Sequence, residues 1–170
     1  MDLYFETAPL QAGRIASVRD ADNATVLGVR RSFGTSIGFR VFSFPEHDVI
    51  GTISAENEQA ARFELRVGDD ANTLVRVARG GGHPLYLLRH GGWLIAGTEK
   101  SDSYRGFQGF GFVFSMGPVI TSGGRTLRVQ VSKEADAVTG VLLAAALDRV
   151  RIVTNAQKKP PLQYSFGGAG

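Results

Sequence analysis

The sequence predicts a mainly β protein, a closed antiparallel barrel wrapped around one hydrophobic helix in its C-terminal part. Three observations predict it. Glycine is abundant, 22 of 170 residues, with no collagen period and no low-complexity tract, which marks many turns and so many short strands. A unit of strand, polar turn and strand recurs from Ile15 to Val131. Between Ala137 and Leu147 the only polar side chain is Thr139. An amphipathic surface helix would show a single apolar stripe, and this run is apolar all the way round. Crossing a bilayer takes roughly 20 such residues, so the run is too short to span and is expected to be sheathed by the rest of the chain.

In chain order, Leu3-Tyr4-Phe5-Glu6 reads as a first short strand, ended by Ala8-Pro9 and Gly13. Ile15–Val18 then leads through Asp20-Ala21-Asp22-Asn23 into Thr25–Arg30, and Gly38–Phe44 through Pro45-Glu46-His47-Asp48 into Val49–Ile53. Arg62–Val67 leads through Gly68–Asn72 into Thr73–Val77, and Leu85–Leu88 through Arg89–Gly92 into Trp93–Ala96. Gly111–Ser115, Val119-Ile120 and Thr126–Val131 complete the series. Each is the pattern of a β-hairpin. Phe63, Leu65 and Val67 alternate with Arg62, Glu64 and Arg66, the period of a strand with one wet face. Glu56–Ala61, Gly80–Pro84 and Ser101–Gly109 read as breaks, the last as a long polar loop. Roughly ten strands in sequential hairpins have edges to hide, and closure hides them. A helix at about 136–150 would then fill the barrel, with Ser132 or Asp136 available as its N-terminal cap.

Two stretches, DADNATVLGVRR (residues 20–31) and DAVTGVLLAAALDRVR (residues 136–151), carry a resemblance. The layout of repeated hairpins followed by a hydrophobic helix with a closing Asp-Arg resembles the tubby C-terminal-like superfamily, which includes the phospholipid scramblases and the LURP-one-related proteins. The likeness spans nearly all of residues 1–153. It implies a barrel of about twelve strands around a central helix. Members of the superfamily bind phosphoinositides, are linked to lipid movement, or have no known activity, and the expectation for this chain is a non-enzymatic binding module for phosphoinositide or anionic lipid headgroups. No family functional motif maps onto residues of this chain, so no site is carried over. Residues 154–170 form a tail beyond the expected domain, in which Leu162–Phe166 could add an edge strand.

Composition narrows the chemistry. Nineteen Lys and Arg against 16 Asp and Glu leave a formal charge of +3, enough for attraction to phosphates or anionic lipid and well short of a nucleic-acid binder. Without cysteine, disulfides, thiolate catalysis and Cys-type zinc sites are excluded, which suits a reducing compartment. MDLYFETAPL lacks a basic region followed by an apolar core, so a signal peptide is not expected there. The expected location is cytoplasmic, peripheral to a membrane if lipid is bound.

Gly34-Thr35-Ser36-Ile37-Gly38 matches G-x-S-x-G, and Ser36 with a histidine would make a small hydrolase. The motif needs a strand-to-helix turn, whereas Phe39–Phe42 reads as a strand, so a glycine-rich connection is the better reading. His47, His83 and His90 all fall in turns or loops. His83 and His90 with Asp69 or Asp70 lack any spacing that would fix a metal, and neither Asp20-x-Asp22-Asn23 nor Asp69-Asp70-x-Asn72 continues as a calcium loop. Phe107, Phe110, Phe112 and Phe114 are expected to alternate between core and surface, an exposed subset beside Tyr104 and Arg105 being available to a membrane. The basic residues are the most informative feature: Arg30, Arg31, Arg76, Arg79, Arg89, Arg105, Arg125, Arg128 and Lys158-Lys159 fall largely at strand ends and turns. Guanidinium forks suit phosphate, so Arg30, Arg31, Arg76, Arg79, Arg105, Arg125 and Arg128 are the expected ligands of an anionic headgroup. No metal and no cofactor are expected. The alternative is a protein–protein interaction or structural domain without a small-molecule ligand, in which the Lys158–Pro161 segment is recognised.

Overall fold

The computed structural model describes residues 1–34, 37–56, 60–98 and 100–158. Twelve strands form one closed barrel: β1 (Asp2–Glu6), β2 (Ala16–Asp20), β3 (Thr25–Arg31), β4 (Gly38–Ser43), β5 (Val49–Ala55), β6 (Arg62–Val67), β7 (Asp70–Gly80), β8 (His83–Leu88), β9 (Trp93–Thr98), β10 (Ser103–Gln108), β11 (Gly111–Thr121) and β12 (Gly124–Val131). Every strand is antiparallel to its sequence neighbours, and β1 closes the ring against β12 from Asp2↔Gln130 to Glu6↔Thr126. A short helix α1 (Thr7–Gln11) follows β1, and α2 (Ala137–Lys158) follows a 3-10 turn at Glu134–Asp136.

The interior face follows the period-two pattern. Phe63 and Leu65 point in and Arg62, Glu64 and Arg66 point out, while Leu127, Val129 and Val131 line the inside of β12. The inner half of α2 fills the lumen, with every residue from Gly140 to Asp148 buried. Close approach is bought with glycine. A Cβ at Gly140 would lie 2.7 Å from Val131 Cγ1, and one at Gly51 would lie 2.6 Å from Val138 Cγ1, distances that real side chains do not adopt.

Three expectations change. Ser101–Gly109 is not a loop, since it contains β10, whose inward positions are Tyr104 and Gly106. Neither is an aliphatic residue, so the alternation was invisible to hydropathy. Gly106 leaves room for Phe114, whose Cβ would lie 3.1 Å from an added Cβ. Ala8-Pro9 does not simply end a strand; it lies inside α1, where Pro is tolerated because first-turn N–H groups need no helical partner. The long helix does not end near Val150. It continues to Lys158, so residues 154–158 belong to it, and Leu162–Phe166 lies outside the described residues. The helix is led in by the 3-10 turn, whose N-terminal flank, Lys133, makes no side-chain cap bond.

The topology sorts the chain's connections into two sets. The β1–β2, β3–β4, β5–β6, β7–β8, β9–β10 and β11–β12 connections lie at the end where α2 emerges, and the others lie at the end where it enters. Charge follows the same division. Asp20, Asp22, Glu46, Asp48, Asp69, Asp70, Glu134 and Asp136 gather at the helix-entrance end, against Arg19, Arg66, Arg89 and Lys133. Among the described residues, Arg14, Arg31, Arg62, Arg76, Lys100, Arg125, Arg149 and Arg151 gather at the emergent end, against Glu6, Glu56, Asp102 and Asp148. Among the described residues, no helix is long and apolar enough to cross a membrane.

Candidate functional site

Where α2 leaves the lumen its sequence changes from LLAAAL to DRVRIV. Helical spacing sends these new side chains to different faces. Asp148 and Arg151, three apart, meet β12 and the β9–β10 turn, whereas Arg149 turns toward α1 and the end of β3.

On the first face, Asp148 Oδ1 accepts from Arg125 Nη2 at 2.6 Å and from Arg151 Nη2 at 3.3 Å. Asp102, held at φ +51° in the β9–β10 turn, faces the same two arginines, with Oδ2 3.5 Å from Arg125 Nη1 and Oδ1 3.3 Å from Arg151 Nε. Two guanidiniums and two carboxylates thus form a closed ring. Asp148 is 7 % exposed and the arginines about a quarter, so the carboxylate is desolvated and depends on both partners. Beside the ring is a cavity of about 40 Å³, bordered by Arg76, Tyr86, Tyr104, Arg151, Thr154 and Asn155. That is room for a water or a single small group.

On the second face, Arg149 and Arg31 border a void of about 10 Å³ with Thr7, Gln11, Phe39 and Ile152, and Asp148 lies at its edge. Burial lowers the proton affinity of the Arg149 guanidinium, the charge of Arg31 lowers it further, and Asp148 partly opposes both. Arginine stays protonated regardless, so the direction measures how uncomfortably the charge is held. Arg149 Nε is buried without a hydrogen-bond partner. Among the described residues, no carboxylate lies within 4.0 Å of the charged nitrogens of Arg31 or Arg149.

The expected ligand set divides accordingly. Arg31, Arg76 and Arg125 converge on the emergent end, but Arg125 is already neutralised. Arg30 lies over the Phe33 ring, 4.8 Å from its centroid. Arg105 is exposed on the outer wall, in a groove with His83, Leu85 and Phe107. Arg128 is on the outside of β12, ion-paired to Asp2 at 3.0 Å, a partner that also strengthens its hold on its proton. The Arg79 backbone pairs with Pro84 on β8. Arg149 and Arg151 were not among the expected residues. The i,i+3 spacing of Asp148 and Arg151 at the end of an apolar run was the available signal.

The other motifs have structural uses. Asp20 Oδ1 accepts from the backbone N–H groups of Asp22 and Ala24, both at 2.9 Å, which builds the β2–β3 turn. His90 Nδ1 lies 2.8 Å from the Ala71 carbonyl. His47, at φ +64°, meets the Phe44 ring edge-on. Ser36 and Lys159 lie outside the described residues. Among those described, no three His, Cys, Asp or Glu side chains are grouped to hold a metal. Phe114 is buried while Phe107, Phe110 and Phe112 are exposed, so the four do not alternate between core and surface; Val113 and Met116 join Phe114 inside. Tyr104 is buried, and Phe110 sits in the β10–β11 turn at the helix-entrance end, remote from the arginine pair.

No family model and no curated protein matches the chain. Among solved structures, an X-ray structure of a protein from Arabidopsis thaliana superimposes with a TM-score of 0.52 and 12% identity, over 92% of this chain and 91% of that one. The fold is tubby-like. At that identity the tubby-like barrel is what the two chains share.

Proposed function

We propose that this tubby-like chain is a non-enzymatic binding module of the LURP-one-related and scramblase superfamily, and that it takes an anionic lipid headgroup at the end where α2 emerges. The observation that carries the reading is the sorting of charge along the barrel axis. Among the described residues, acidic turns collect at one end, and guanidiniums in excess of carboxylates collect at the other. The basic end also carries exposed apolar side chains: Phe33 is 76% exposed, Ile120 on the β11–β12 hairpin 84%, and Val77 on β7 51%. Basic groups interleaved with exposed apolar tips suit an anionic bilayer surface, where each Lys or Arg near the surface contributes about 1 kcal/mol. In this reading the protein works as a peripheral, cytoplasmic-face module.

Co-sedimentation with neutral, phosphatidylserine and phosphoinositide vesicles at low and physiological salt tests it. Binding to anionic vesicles alone, weakened by salt as screening requires, is the expected result. Absence of binding at both salt levels would overturn the lipid reading in favour of a protein-interaction barrel.

A further inference from the structure

We propose that Arg31 and Arg149, with Gln11 at the rim, form a seat for a single phosphate monoester or other doubly charged tetrahedral oxyanion. This inference rests on the reading of the basic end above and gives that end a specific locus. Three elements build the seat: α1 brings Gln11, the end of β3 brings Arg31, and the first emergent turn of α2 brings Arg149.

The charge pattern specifies a dianion. Arg31 and Arg149 line one void, the charge of Arg31 disfavours that of Arg149, and among the described residues neither has a carboxylate within ion-pair distance. The neighbouring pair, Arg125 and Arg151, shows what the fold does when it wants such charges balanced, because each is given two aspartates. Asp148 borders the void, but its Oδ1 is already occupied by Arg125 and Arg151. One carboxylate's charge would not balance two guanidiniums, whereas a phosphate dianion balances both and offers oxygens to both forks.

The geometry points the same way. Arg149 Nε is buried without a hydrogen-bond acceptor, as are the Nε atoms of Arg125 and Arg151. Those two guanidiniums have carboxylates on them, whereas among the described residues Arg149 has none, a state that a bound oxyanion would relieve. Arg31 is half-buried and Gln11 exposed, so both can reach a ligand arriving from solvent. The void of about 10 Å³ holds at most a water, which places the anion at its mouth, with Arg149 beneath and Arg31 and Gln11 beside it. The partial negative charge of the helix C-terminus does not oppose this. Its effect fades within the last turn, and α2 runs on from Arg149 to Lys158.

Thermal denaturation and NMR titration with inorganic phosphate, on the wild type, Arg149→Gln, Arg31→Gln and Arg128→Gln, test the seat. Wild type and Arg128→Gln should gain several degrees at saturating phosphate, with the Arg149 Nε–H signal shifting. Arg149→Gln and Arg31→Gln should lose most of that gain, with affinity reduced at least tenfold. General salting-in or salting-out by phosphate acts on all four proteins alike and is removed by the comparison. Arg31→Gln, at the rim, serves if Arg149→Gln perturbs the fold. Equal phosphate affinity in all four proteins, or none in the wild type, would overturn the seat.

The same proteins on vesicles containing a monophosphorylated phosphoinositide identify the source of the phosphate. Vesicle binding weakened about fivefold or more in both seat variants supports a lipid phosphate there. Vesicle binding that persists unchanged in them, with phosphate binding lost, supports the seat for a free phosphate and leaves the lipid reading to other residues; persistence of both overturns the seat. Phosphate binding in the wild type without vesicle binding supports the seat for a free phosphate and sinks the lipid reading.

Discussion

The inner and outer halves of α2 are held by opposite means. From Gly140 to Leu147 the helix sits among β-strand side chains with almost no exposed surface, and among the described residues no charged group enters the lumen. From Asp148 onward it is held by charge, and the two faces of that outer half differ again. Toward β12 and β10, Asp148 and Arg151 join a balanced ring of four ions. Toward α1 and β3, Arg149 faces Arg31 with the balance missing. Packing and paired charge fasten a helix, whereas charge left unpaired is an expense that stability alone does not explain. Such local inconsistency is where function is expected to reside.

The largest effect should come from the packed half. Leu142→Ala removes a fully buried side chain and should cost about 3 kcal/mol, read as a lowered urea midpoint with unchanged slope. A loss under about 1 kcal/mol would mean that the barrel collapses onto the helix easily. Asp148→Ala comes next, because it leaves Arg125 and Arg151 facing one another part-buried. Breaking a buried pair costs about 3–5 kcal/mol, and the partial exposure here reduces that to about 2, or roughly 4–8 °C in a protein of this size. Asp102→Ala should cost less, about 1 kcal/mol. A double-mutant cycle with Asp148→Ala should show the two changes to be non-additive, and strict additivity would mean that the ring is no network.

The comparison sharpens most at the unbalanced face. Arg149→Met, which keeps the stem's apolar contacts and removes the strained charge, should leave stability unchanged or raise it by about 0.5 kcal/mol while weakening anion binding. A loss as large as that of Asp148→Ala would assign Arg149 to the fastening. On vesicles, Arg31→Ala should weaken binding about fivefold, the equivalent of about 1 kcal/mol. Arg128→Ala, on the outer wall beside Asp2, should produce no measurable change in either assay.

The barrel was legible because its strands announce themselves locally. Asp-Ala-Asp-Asn and Gly-Asp-Asp mark turns through backbone preferences, and Phe63-Glu-Leu-Arg-Val gives its inward face by alternation. The sheathed helix was legible from Val141–Leu147 for the same reason. β10 escaped because Tyr104 and Gly106 face inward without looking apolar together, and α1 escaped because Pro9 reads as a stop. The site was only partly legible. Arg31, Arg76 and Arg125 were expected to bind, but whether an arginine is free depends on partners far away in the chain. Asp2 lies 126 residues from Arg128 and claims it, and Asp148 lies 23 residues from Arg125. Arg149 was hidden by its own neighbour, since Asp-Arg reads as a compensated dipeptide, whereas the helix turns the two side chains to different partners.

Ring closure by β1 and β12 also governs how the protein comes into being. Asp2 pairs with Gln130 and Glu6 with Thr126, so the first strand made must wait for the last, and the helix that fills the lumen is made later still. During synthesis the growing chain therefore holds a series of hairpins whose inward faces have nothing to rest on. Contacts so distant in sequence are slow to form, and unfilled apolar faces attract other chains meanwhile. The architecture that hides every sheet edge in the finished barrel leaves those edges open until its last strand has been made.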